Sequence, residues 1–463
     1  MAQLATQMTG YVMIFTVALN SMAARFITIE INQNNNEQAN LYFNSVLRAN
    51  TVIAVILMVP AVLVSVYVDR IFHVPHDIIA DVRWTFGFVF INTILILLGN
   101  IFTIATFVKN KLYLSSARSI EGNIIKIVLA FSLYGLLVPR VYYITLSFIF
   151  MSVYILFTNI HYTKKLLPEV KVSAKTYSGQ AVFTLLRSGI WNALDQLSNV
   201  LLGSLDLWIA NVLLGATLMG QYSLAKSMPL FLLLFIASVS SVFAPQFTIL
   251  YAQEKKQELL AAADVSLKIM TVFVTVPVAF LFVFGDAFFR LWLPGEETPL
   301  LYALSNIILV PIVLSGNLQP LLNIFTVTDR LKAPAFSILI AGILNIVLTF
   351  ILYYRTSLGI FSIPIASLIV RALKDLSFLP FYAAICLKQK WFVFFPAIFR
   401  NAFCFIMITV ICYAFKNFFA VDSWLRFLIA LVVCGIGSLI ICVALLLGKK
   451  ELAHLRLLIS AHK

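Results

Sequence analysis

The chain has 463 residues, 62% of them hydrophobic and 11% charged, with a formal net charge of +14 and a mean hydropathy of +0.99. Soluble domains average about 25% charged and about 45–50% apolar residues, so the composition excludes a water-soluble globular enzyme. The positive charge fits nucleic acid, acidic lipid or membrane topology, and the positions of the cations decide between them.

Apolar runs of the ~20 residues needed to cross a hydrocarbon core follow one another from end to end. In lipid such a run must satisfy its own backbone, so each reads as a helix. Thirteen spans are predicted, near 4–29, 47–68, 84–108, 122–138, 141–160, 188–214, 219–250, 269–285, 300–326, 335–353, 358–386, 394–415 and 427–447. No soluble domain is left over, and the longest connections lie near 162–187 and 251–268. The expected fold class is an all-α polytopic membrane protein.

The first span carries no basic leader. Arg25 follows its apolar run instead of preceding it, so the start does not read as a cleavable signal. After the second span, "HVPH" offers His73 and His76 but no third ligand nearby, and reads as a loop with turn chemistry. Arg25 and Lys126 stand near the inner ends of their spans, where long cations snorkel. The sixth segment, "LLRSGIWNALDQLSNVLLGSLDLWIANVLLG", places Ser188, Asn192, Asp195, Asn199 and Asp206 at spacings of 4, 3, 4 and 7, one face of a helix. Such a stripe lines a polar cavity, with interhelical hydrogen bonding as the alternative. Lys226 follows in "QYSLAKSMPLF". Arg371, Lys374 and Asp375 lie about 13 residues into their span, roughly 20 Å deep. There Arg371 and Asp375 are expected to pair at i, i+4, leaving Lys374 formally uncompensated, with a carboxylate on another helix as the alternative. Ionisable groups at such depth are costly and mark function. Lys226, Arg371, Lys374, Arg25 and Lys126 are therefore the candidates for an anionic head group such as a diphosphate. Asn192, Asp195, Asn199, Asp206 and Asp375 are the candidates for a polar cavity wall or ion coupling. The five cysteines all fall in late apolar segments and read as small core residues, not a disulfide framework.

Three phrases recur at a near-constant distance. "IVLAFSLY" (127–134) returns as "IVLTFILY" (346–353), "VPAVLVSVYVDRIF" (59–72) as "VPVAFLFVFGDAFF" (276–289), and "NIFT" (100–103) as "NIFT" (323–326), at offsets of 219, 217 and 223. An internal duplication follows, a common plan for carriers. The expected organisation is an N-terminal bundle over 1–161, a cytoplasmic linker over 162–187, a C-terminal bundle over 188–386, and two extra helices with a tail over 387–463. Residue 220 corresponds to residue 1, so 188–214 opens the second bundle while its counterpart in the first is missing. An intact version would have fourteen spans, six plus six plus two.

Basic residues fall unevenly between alternate connections, nineteen against seven. The rich set includes Arg48, Lys109, Lys164, Lys255, Arg330 and Lys388, and the poor set Arg70, Arg83, Arg140 and Arg355. The positive-inside rule then puts the rich side and the C-terminus in the cytoplasm and the first residues outside. The cations set topology; no basic patch with interleaved aromatics points to nucleic acid. No GxxxxGK[ST], HExxH or GxSxG motif is present, and the short outer connections hold no catalytic constellation, so the chain is not expected to be an enzyme.

Two stretches carry a family likeness. One is "LDLWIANVLLGATLMGQYSLAKSMP", an Asp in a helix followed by Gly-x-Tyr-x-x-Ala. The other is "GYVMIFTVALNSMAARFITIEINQNNNEQANLYFNS", a helix leading into an Arg and a polar amphipathic loop. With two six-helix repeats and two added helices, the whole chain resembles the polysaccharide exporter branch of the multidrug/oligosaccharidyl-lipid/polysaccharide superfamily, the MATE-like exporters. It departs from them in the missing first helix. The resemblance implies a Wzx-type flippase of the bacterial cytoplasmic membrane, moving lipid-diphosphate-linked oligosaccharide to the outer leaflet for O-antigen, capsule or exopolysaccharide synthesis. It also implies alternating access, coupling to a proton or sodium gradient without a bound cofactor, and other polysaccharide assembly proteins as partners alongside membrane lipid. The rivals are a drug/cation antiporter or lipid II flippase of the same fold, and, in a different class, a membrane polysaccharide polymerase or ligase.

Overall fold

The computed structural model describes residues 2–109, 111–173, 176–328 and 330–446, whose regular structure is helical with no strand. Each of the thirteen expected spans corresponds to helix. Among the described residues, ten helical runs are long and apolar enough to cross a membrane. The difference has local causes: 188–214 and 219–250 fall within one run, Gly179–Tyr251, the span at 358–386 is interrupted by a wide turn, and several side chains of the first helix are outside the described set.

The chain divides into two compact units, Met1–Gly220 and Gln221–Lys463. The first holds α1 (Ala2–Asn32), α2 (Asn36–Val66), α3 (Val68–Ile71), α4 (Ile79–Asn100), α5 (Ile104–Val108), α6 (Leu112–Leu136), α7 (Tyr143–Leu166) and α8 (Gly179–Gly203), and the start of α9 (Asp206–Ser241). Gly215 breaks α9 with φ of +85°, a left-handed conformation that glycine adopts without a Cβ clash. The second unit continues with α10 (Ala244–Ala252), α11 (Lys256–Trp292), α12 (Thr298–Ser315), α13 (Leu321–Val327), α14 (Lys332–Arg355), α15 (Ser362–Leu373), α16 (Leu379–Cys386), α17 (Phe395–Phe418) and α18 (Trp424–Leu446).

The duplication is visible element by element. α11 begins 220 residues after α2 (256 − 36), and α14 begins 220 after α6 (332 − 112). The loop after α1 turns through Asn34 at φ 59°, and the loop after α10 through Glu254 at φ 57°, again 220 apart (254 − 34). Both close a helix C-terminus in the same way. The Asn35 and Lys255 amides donate five residues back to Glu30 and Leu250, capping carbonyls that have no partner within the helix. The "NIFT" pair falls off this register. Ile101–Thr103 forms a 3-10 turn before α5, whereas Asn323 lies inside α13. Short apolar words recur by composition alone in so greasy a chain.

In the first unit α8 lies along α1, with Gly189 against Ala18 so closely that a Cβ there would overlap the Ala18 carbonyl. The unit boundary therefore falls after α8, instead of a second bundle opening at residue 188. The connector between α7 and α8, expected as a linker, is clasped to α2. The Asn40 and Asn44 side chains, one turn apart, pair with Glu169, Lys171 and Ser173 along the extended chain at 2.7–2.9 Å.

In the second unit α17 is no appendage. It packs along α11, and Phe394 and Ala397 belong to the same apolar core as Leu267, Met270 and Val274. Arg400 meets Asp264 at 2.5 Å and Lys416 meets Asp286 at 2.7 Å, one contact toward each end of the α11–α17 seam. The five cysteines are free and buried. Asp286 is the repeat partner of Asp69 nine residues after each proline. Asp69 pairs instead with Arg83 on α4 at 2.9 Å, which holds its carboxyl below the ordinary range. Asp286→Asn is expected to leave Lys416 half-buried and uncompensated and to cost about 1–2 kcal/mol. Asp264→Asn, at a more exposed and better screened pair, should cost less than about 1 kcal/mol. Thermal unfolding of the two variants in detergent would show the order.

Candidate functional site

A polar cluster of the second unit lies where α15 meets α16. A straight α-helix would carry Arg371 and Asp375 on one face, yet the chain widens into a π turn over Lys374–Phe378. Pro380 at the start of α16 has no N–H to donate back to residue 376, and the wide turn absorbs that missing bond. The register changes with it. Lys374 Nζ stands 2.7 Å from Asp375 Oδ1, and the Ser315 hydroxyl, from the end of α12, donates to Asp375 Oδ2 at 3.0 Å. The expected Arg371–Asp375 pair is thus replaced by a pair of sequence neighbours. Their side chains are 20% and 15% exposed, and Lys374 begins 12 residues after Ser362 (374 − 362), roughly 18 Å along the helix.

The other wall of this site is apolar. A groove of about 290 Å³ runs between α14 and α15, lined by Ile340, Ala341, Leu344, Val370 and Leu373, with Lys374, Ser337 and Ser377 as its polar members. An ammonium held by one carboxylate beside an apolar trough suits an anionic amphiphile, with its charged group at Lys374 and its chain along α14.

Arg371 is half-buried one turn earlier, and Lys226 is half-buried on α9. Arg25 is exposed on α1. Lys126 bonds Asn123 on its own helix at 2.8 Å and lies 5.2 Å from the Phe148 ring centre. The polar stripe is shorter than its spacing suggested. α8 ends at Gly203, and Asp206 opens α9, its carboxylate accepting from the Leu207 amide at 2.8 Å. An acid at a helix N-terminus faces the positive end of the dipole, so Asp206 leaves the stripe and is buried. Gly203-Ser204 followed by Asp206 was a readable stop-and-start signal. Of the rest, Asn192 donates to Ser21 on α1 at 2.9 Å, an interhelical bond, and Asn199 is exposed. The Asp195 side chain lies outside the described residues.

Several polar groups escaped the sequence reading. On α6 and α7, Arg118 pairs with Glu121 at 2.6 Å, and the Tyr154 hydroxyl donates to the same carboxylate. Asp81 is buried, takes Arg140 at 3.3 Å and accepts from the Val141 amide. His73 is held by Asn211, whose side chain accepts from the His73 amide at 3.0 Å and whose carbonyl faces Nδ1 at 3.1 Å. The carboxylates were visible as charges near apolar runs, but their partners lie 3 to 60 residues away.

No family model matches the chain. It is 28% identical over 421 residues to the uncharacterized membrane protein EpsK of Bacillus subtilis (strain 168), spanning 90% of this chain and 82% of the relative. Among solved structures, the lipid II flippase MurJ in an inward closed conformation aligns with a TM-score of 0.66 and 15% identity, covering 96% of each chain. A multidrug resistance MATE family transporter of the MOP superfamily, inward-facing, aligns at 0.60 and 14%, covering 84% of this chain and 91% of that one. The chain is a multi-pass membrane protein with the fold of the MATE transporters and MurJ.

Lys374→Met alone should leave Asp375 charged at low exposure and destabilise the second unit by about 2 kcal/mol, while the double change Lys374→Met with Asp375→Asn should cost less than either single change. A double-mutant cycle on thermal unfolding checks this. Additive losses would show that the two side chains do not interact.

Proposed function

We propose that the protein is a membrane transporter that flips a lipid-diphosphate-linked oligosaccharide from the cytoplasmic to the outer leaflet of a bacterial cytoplasmic membrane, for surface polysaccharide synthesis. The observation that carries the substrate class is Lys374, a cation of low exposure on the wall of an apolar groove. A diphosphate on a polyprenyl chain has the same two parts in the same order. A fold shared along nearly the whole chain with a lipid II flippase supports the transport reaction, and the EpsK likeness supports a bacterial membrane setting. Alternating access would expose the substrate site to each leaflet in turn. Asp375 is the acidic group best placed to link substrate binding to a proton or sodium gradient, because it and an incoming phosphate compete for one ammonium. The basic-rich connections orient the C-terminus to the cytoplasm, and the enzymes that build and polymerise the oligosaccharide are the expected partners.

The full chain, reconstituted in liposomes with a fluorescent polyprenyl-diphosphate oligosaccharide in both leaflets, should expose the label of the inner leaflet to an external quencher. Lys374→Ala is expected to slow this at least tenfold, with Lys374→Arg retaining most of it. Wild-type flipping by Lys374→Ala would overturn the site. Transport of an organic cation with no flipping by the wild-type chain would favour an antiporter.

A further inference from the structure

α2 presents a row of exposed apolar side chains, Val52, Val55, Val59, Val62 and Val66, at alternating spacings of three and four that keep them on one face. Arg48 is the next member of that row, four residues before Val52 and at the foot of the apolar run. Beside it opens a cavity of about 400 Å³ between α2 and the α7–α8 connector. Thr51 and Asn44 line it from the helix, and Ser173 and Thr176 from the connector. The Arg48 guanidinium lies 4.8 Å from the centre of the Tyr177 ring, which covers a face of the guanidinium while its N–H edge is left to other partners. Among the described residues no carboxylate lines the cavity or stands within ion-pair distance of Arg48.

The wall is built. The Ser173 amide donates to Asn44 at 2.7 Å and the Ser178 amide to Ser45 at 3.0 Å, so the connector backbone is tied to α2 at these two residues. A guanidinium fork with hydroxyls around it and no acid selects an anion, and phosphate matches the fork. The apolar row rising from the same residue adds a hydrocarbon chain to the requirement. Arg48 belongs to the basic-rich set of connections that the positive-inside rule assigns to the cytoplasm, at the depth where head groups lie.

We infer that this cavity is a site for an anionic phospholipid of the cytoplasmic leaflet, its phosphate on Arg48 and the connector hydroxyls and its acyl chains along the valine row of α2. The site is in the first unit and does not rest on the substrate reading for Lys374. The full chain is purified from vesicles of phosphatidylglycerol and of phosphatidylcholine, and retained lipid is counted by native mass spectrometry. Wild-type protein is expected to keep phosphatidylglycerol at least fivefold over phosphatidylcholine. Arg48→Gln should abolish the preference and Thr176→Val reduce it, while Lys165→Gln, which removes an equal charge from an exposed position outside the cavity, should leave it intact. Thermal unfolding within a few degrees of wild type for Thr176→Val keeps the result readable if Arg48→Gln folds poorly. Equal retention by Arg48→Gln and Lys165→Gln overturns the proposal. So does displacement of the lipid from wild type by millimolar inorganic phosphate, which would make the cavity a phosphate site with no need of the valine row.

Discussion

A hydrocarbon surround offers no hydrogen bonds, so a polar side chain carried into a helix is stabilised by meeting another part of the chain. The Asn20–Asn50 amide pair shows the constraint directly. The two side chains exchange hydrogen bonds at 2.9 and 3.3 Å between α1 and α2, and Asn50 also reaches the Leu97 carbonyl on α4 at 3.1 Å. Three helices are thereby fixed at one level, where two of them contribute a side chain and the third only backbone. In the second unit the buried Asn317 Nδ2 donates to the Ala397 carbonyl of α17 at 3.1 Å, while its Oδ1 has no partner among the described residues. Apolar packing in lipid gains little from water exclusion, so small residues and such bonds decide which helices become neighbours. Gly189 against Ala18, followed one turn on by Asn192 to Ser21, places α8 on α1 by both means.

Two copies of one helical plan have met this constraint with different partners. The helices begin at matching positions, and the caps after α1 and α10 repeat down to the left-handed residue, although Asn34 and Glu254 share no chemistry beyond a short polar end. Backbone geometry has outlasted sequence. Ion pairs have not: the repeated aspartates at 69 and 286 point to Arg83 on the next long helix in one unit and to Lys416 on α17 in the other. A charge kept at a fixed place needs only some counter-charge within reach, so its partner can change while the fold stays.

The π turn at Lys374 is the point at which fold and chemistry meet. Pro380 removes a backbone donor, the helix widens, and Lys374 and Asp375 come together at the edge of an apolar groove instead of lying on separate faces. Wide turns of this kind occur disproportionately at functional sites. Here the consequence is specific, since the turn decides which of the two cations, Arg371 or Lys374, holds the carboxylate and lines the groove.

Composition, hydropathy and the alternation of charge determined by themselves that this is a polytopic helical protein, because lipid permits few other answers for runs of this length. The duplication was legible too, since a repeated plan leaves repeated words at a constant distance, as "VPAVLVSVYVDRIF" does. What only the tertiary structure decided was which polar residues meet. Asp206 looked like part of the α8 stripe because 3.6-residue periodicity was extended across a break at Gly203, and Asp206 opens the next helix instead. Arg371 looked like the partner of Asp375 because the spacing assumes an unbroken α-helix. Arg48 looked like one of many topological cations until the connector near residue 173 was seen folded against α2. Periodicity is a property of one helix, and the partner of a buried charge is chosen by distances between helices, which the order of residues along a single segment does not contain.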